Sequence, residues 1–131
     1  MSAKGQNLGG RDIPMNAAAD LSARQYCWVK LGGTGLQDID LCGASDDPIG
    51  VLQDKPSDTK PEARVRISGT TVVHAGAAIT RGKYLVVGDA YGRVTMAVGE
   101  TYYGAQQQIV GLALEAAAAA DDEIVMLIRF L

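Results

Sequence analysis

Apolar and polar residues alternate along most of the chain in short runs, separated by glycine, proline and polar clusters. This is the pattern of strands joined by turns. It is densest over residues 72–98. There Val72, Val73 and His74 lead into the small residues 75–79, and Gly82 releases the chain into a strand at 83–87. A glycine-bounded reversal at 88–92 then returns it through 93–98.

Other strands are predicted at residues 23–31, 36–42, 49–53, 63–68, 70–74, 109–114 and 123–131. In the first of these, Gln25, Cys27, Val29 and Leu31 share one face, and Arg24, Tyr26, Trp28 and Lys30 the other. The second face mixes aromatics with cations, a composition suited either to an interface or to closing a barrel end. In residues 63–68, Val65 and Ile67 point inward and Arg64 and Arg66 outward, with Gly69 ending the strand. The last strand is apolar on both faces. Ile124, Met126, Ile128 and Phe130 make one, and Val125, Leu127 and Leu131 the other, so a barrel interior and a subunit contact are expected on opposite sides.

Residues 116–120 are five alanines, strong helix formers in a run too short to hold a helix alone. Strong strands flank them, so a strand end and turn are predicted. A short internal echo joins Pro48-Ile49-Gly50-Val51-Leu52 to Ile109-Val110-Gly111-Leu112-Ala113-Leu114. Each is an apolar strand with a central glycine, where a backbone can approach closely.

Residues 1–20 differ from the rest. Turn and coil formers dominate, with Leu8, Ile13 and Met15 spaced along a polar thread and Lys4 and Arg11 balanced by Asp12 and Asp20. The stretch is either a frayed terminus or an arm that orders against a partner. The domain reading is therefore an extended arm over 1–20 and a single all-β barrel over 21–131.

Composition narrows the function. A net charge of −3 argues against a nucleic-acid-binding face. Two cysteines, Cys27 and Cys42, are too few for a disulfide framework and read as buried apolar residues. The single histidine, His74, offers neither a zinc set nor a catalytic partner. Gly32-Gly33-Thr34-Gly35 lacks the lysine and serine of a phosphate loop. Asp38 and Asp40 lie two apart on an outward face and read as a solubilising edge. The start has no apolar signal core and no run approaches a membrane span, so a soluble protein made in a cytoplasm is expected. No catalytic group, metal or cofactor is expected.

Taken together, IGVLQDKP (49–56), EARVRISG (62–69), AGAAITRG (75–82) and IVGLALEAAAAADDEIVMLI (109–128) resemble the capsid decoration, or cement, proteins of tailed bacteriophages across residues 20–131. The resemblance implies a β-barrel or β-tulip subunit made in the host bacterium. It would act as a homotrimer on the outer capsid surface, at three-fold and quasi-three-fold positions, clamping the expanded head against DNA pressure. Its partner would be the major capsid protein, with no nucleic acid or membrane involved. Leu8, Arg11, Ile13 and Met15 are the expected capsid contacts of the arm. Tyr26, Trp28, Val125, Leu127 and Leu131 are the expected subunit contacts or barrel closure. The rivals are a phage tail or neck structural protein and a carbohydrate-binding β module, in which Tyr26, Trp28, Tyr102 and Tyr103 would stack on sugar rings. A β-clip enzyme domain is a more distant alternative, since AGAAITRGKYLVV also looks like such domains but no nucleophile–base pair accompanies it.

Overall fold

The structure, a computed structural model, describes residues 9–97 and 108–130. Leu8, Tyr102, Tyr103 and Leu131 lie outside the described residues. The described chain is all-β. Its strands are β1 (Gly10–Ala17), β2 (Trp28–Leu31), β3 (Asp38–Leu41), β4 (Pro48–Leu52), β5 (Glu62–His74), β6 (Tyr84–Val87), β7 (Val94–Met96), β8 (Ile109–Ala113) and β9 (Glu123–Ile128). The alanine run forms bends and turns, with Ala117 bridged to Ile79.

Strand order is β1-β3-β2-β4-β5-β9-β8-β6-β7, and β1 also pairs with β5. That extra pairing closes β1, β3, β2, β4 and the first half of β5 into a barrel, which leaves no free edge. Its interior holds Met15, Leu21, Val29, Ile39, Leu52, Ala63 and Val65. The second half of β5 pairs with β9, starting a second ring through β8, β6 and β7. A parallel bridge from Ala75 to Val94 completes it. Leu85, Val94, Val110, Ile124 and Met126 fill this second core. Burying a side chain the size of Met126 contributes roughly 1.5–3 kcal/mol.

The two rings are copies of one another, residue for residue in register. Val29 faces Leu41 and Gly50; Leu85 faces Met96 and Gly111. The β2–β4 ladder slips a residue after Val29, and the β6–β8 ladder after Leu85. Met15 pairs with Ala63 as Val73 pairs with Ile124. Ala17 runs parallel to Ile39 as Ala75 does to Val94. The connections repeat too. Leu21 donates its N–H to Pro56 (3.0 Å) as Ile79 does to Ala117 (2.9 Å). Tyr26 donates to Leu52 (2.7 Å) as Gly82 does to Ala113 (2.8 Å). The echo between residues 48–52 and 109–114 is thus the visible part of a duplication spanning the described chain.

Three expectations change. Residues 10–17 are not a free arm. They form β1, which pairs with β5 along its length and with β3 at its end. The strand predicted over 23–31 begins only at Trp28, because residues 24–27 make a tight turn with Tyr26 at φ 67°. A non-glycine residue seldom adopts that conformation, so the turn was hidden. Gly69 does not end a strand. β5 runs through it at φ 90°, where an added Cβ would lie 2.6 Å from the Gly10 Cα. The glycine lets β5 leave β1 and join β9 without a break.

Candidate interaction surfaces

The expected contact residues fall in two environments. In β1, Arg11 is exposed and Ile13 half-buried, but Met15 is 8 % exposed inside the first barrel. Met15 is placed there by strand alternation: once β1 pairs with β5, every second side chain faces the core. The strand is anchored by Asp12, whose carboxylate accepts from Arg66 Nε at 2.7 Å and Nη2 at 3.3 Å. Arg66 also donates to the Thr70 carbonyl at 3.0 Å.

Trp28 is fully buried, with its ring edge-on to Phe130 at a centroid distance of 5.7 Å. Its indole N–H has no hydrogen-bond partner among the described residues. Val125 is buried as well, and Leu127 half-buried. The structure therefore gives Trp28 to the core where the second barrel covers the first, and buries Val125 within the chain on β9, paired with Val72 of β5. A buried Trp28 presents no ring face for stacking on a sugar. Tyr26 is half-buried 6.5 Å from the His74 ring, and His74 Nε2 lies 3.4 Å from Glu123. His74 and Glu123 line a shallow cleft with Ser22, Gln25 and Lys55.

A polar cluster marks the seam between the barrels. Tyr91, at the tip of the β6–β7 hairpin, has the Arg24 guanidinium 4.8 Å and the Arg93 guanidinium 5.5 Å from its ring centre. Arg93 binds Asp121 at 2.9 Å and Asp89 at 2.7 Å, and these hydrogen bonds, Asp121 first, raise its pKa. Beside Tyr91, the Gly92 carbonyl accepts the Trp28 N–H at 2.8 Å, so this hairpin is docked against β2. The glycine-bounded reversal was legible in the sequence. That its tip would meet Arg24 was not, since the two lie far apart in the chain.

The acidic residues of the first barrel serve its turns. Asp38 accepts the Gly35 N–H at 2.8 Å, and Asp40 the Leu41 N–H at 2.7 Å. The Gly43 N–H, and then the Lys30 ammonium at 3.1 Å, hold Asp46 below the usual carboxylate range. Both cysteines are buried free thiols. Burial pushes Cys27 up to about 11 and Cys42 up to about 12. No group of three metal-ligating side chains occurs among the described residues.

Apolar residues remain exposed at two places. At one end of the first barrel, Leu31 is 62 % and Leu36 96 % exposed, with Ile49 and Ile67 half-buried beside the core. On the outside of the second barrel, Tyr84, Leu112 and Leu127 form a cross-strand row, all half-buried. Sequence reasoning singled out only Leu127 of these. The signal that would have found the others is the duplication, read along its whole length.

No family model matches the chain. No curated protein matches it. Among solved structures, the fold is shared with the head fiber gp8.5 N base in bacteriophage phi29, at TM-score 0.69 and 15 % identity, over 92 % of this chain and 95 % of that one. The whole duplicated β architecture, and not one barrel of it, is therefore a fold already seen.

Proposed function

We propose that this chain is a structural protein of a phage head: a non-enzymatic decoration protein that binds the outer surface of the expanded capsid as a homotrimer and stabilises it against internal DNA pressure. The observation that carries the reading is the fold likeness to a phage head-fiber base over nearly the full length of both chains. It agrees with the resemblance of residues 20–131 to capsid decoration proteins, which was drawn from sequence blocks alone. The partner is the major capsid protein, met at three-fold and quasi-three-fold positions. Many identical sites on a shell, engaged by an oligomer, give avidity from modest single contacts.

Arg11 and Ile13 are the capsid contacts that the barrel leaves accessible, while Leu8 lies outside the described residues. Met15 serves the barrel interior and positions them. The test is cosedimentation of the purified protein with expanded, undecorated heads of the cognate phage. Saturable binding is expected, weakened at least tenfold by Arg11→Glu and by removal of residues 1–8, with the melting temperature unchanged. Absence of binding to heads, with binding to tails or necks instead, overturns the capsid reading.

A further inference from the structure

The duplication gives each side of the junction between the barrels a counterpart elsewhere in the chain. Inside one chain, the second barrel caps the outer face of the first. Trp28 and Val51 are fully buried there, in one cluster with Val87, Val110 and Ile128, which lie at one end of the second barrel. Each side of this junction has a repeat-equivalent elsewhere in the molecule. The equivalents of Trp28 and Val51 are Tyr84 and Leu112, since Trp28 pairs with Val51 as Tyr84 pairs with Leu112. The equivalents of Val87, Val110 and Ile128 are Leu31, Ile49 and Ile67, by the same registers.

Exposure separates the two sets. Val87 is 3 %, Val110 0 % and Ile128 9 % exposed, whereas Leu31 is 62 % exposed and Ile49 and Ile67 are half-buried. Trp28 and Val51 are 0 % exposed, whereas Tyr84 and Leu112 are half-buried. The hairpin tips follow suit. Tyr91 packs against Arg24 at the junction, while Leu36, at the matching place in the first barrel, stands 96 % exposed. A single chain therefore carries apolar counterparts of both halves of its own junction, Leu31 and Leu36 exposed and Ile49, Ile67, Tyr84 and Leu112 half-buried.

We propose that the Leu31–Leu36 end of one copy docks on the Tyr84, Leu112 and Leu127 face of the next, repeating between chains the contact that joins the barrels within a chain. Such a contact is heterologous: the two surfaces differ, so it propagates head to tail until a ring closes. In a ring of three copies, every barrel caps the one before it. The inference deepens the homotrimer of the proposed function by naming its surfaces, and it is tested without capsids.

The test is the solution mass by light scattering of wild type, Leu31→Glu, Leu112→Glu and an equimolar mixture of the two variants. Wild type is expected at three times the 13.7 kDa chain mass, and each variant alone at one chain mass. The mixture is expected to recover a species of two chains, because the Leu112→Glu copy still carries a native Leu31 end and the Leu31→Glu copy a native Leu112 face. Leu127→Arg replaces Leu112→Glu if that variant loses its cooperative melt. A monomeric wild type, variants that keep the wild-type mass, or a mixture that stays monomeric overturns the proposal. Capsid cosedimentation is read separately, so a protein that binds heads yet fails this test refutes only the self-docking.

Discussion

Gly111 gives the sharpest test of the repeated architecture. A Cβ built there would lie 2.6 Å from the Leu127 carbonyl oxygen and 2.5 Å from the Met126 sulfur. The thioether can swing away; the carbonyl belongs to β9 and cannot move alone. Gly111→Ala must therefore push β8 from β9, straining their ladder in the middle of the second barrel. Overpacking of this kind costs roughly 1–3 kcal/mol. Removing a glycine also stiffens the unfolded chain, which returns about 0.4–1 kcal/mol. At mid-range the net loss is about 1.3 kcal/mol, and at about 3–5 °C per kcal/mol for a domain this size the melting temperature falls by about 4–7 °C. Gly50→Ala should behave alike, since its Cβ would meet the Arg66 carbonyl at 2.5 Å in the first barrel. Gly9→Ala, with nothing within 4 Å, is the control and should leave stability within about 0.5 kcal/mol. Calorimetry or circular dichroism melts of the three variants decide the matter. A Gly111→Ala protein melting with wild type would refute the close approach of β8 and β9.

Three further outcomes are expected. Asp12→Ala removes the partner of an Arg66 side chain that is 15 % exposed, leaving a half-buried cation with one carbonyl contact. A loss of about 1–3 kcal/mol in urea unfolding and earlier proteolysis of β1 should follow, and unchanged stability would remove the clamp from the account. Cys27 and Cys42 should react with a thiol reagent at pH 8 only as the protein unfolds, because both are buried and their thiols are raised to about 11 and about 12. Since the folded values lie above the unfolded one of 9.0, this contribution is complete below pH 9 and lost as pH rises toward 11–12. The urea midpoint should thus fall across that window in wild type, and fall less in Cys27→Ala/Cys42→Ala. Met126→Ala, emptying a fully buried site in the second core, should cost about 2–5 kcal/mol, read by the same denaturation.

The sequence alone determined the fold class and most strand positions, because alternation and glycine punctuation are local signals. The strand after Gly82 was legible since the left-handed residue there is a glycine. Its equivalent in the first barrel was not, because Tyr26 holds the same conformation without announcing it. The alanine run read as a turn for a local reason as well: five residues cannot pay for a helix nucleus against strong neighbouring strands. Tertiary structure alone decided partnership. Whether β1 is an arm or a barrel strand depends on pairing with residues some fifty positions away, through Asp12–Arg66 and the Gly10–Gly69 crossing. Whether Trp28 faces a partner or the chain's own core depends on where the second barrel lands. Apolar character marks a side chain as needing cover, but which surface supplies that cover is a non-local property. For that reason the duplication showed in the sequence as one short echo, and in the structure as ladders and connections that repeat in register through both barrels.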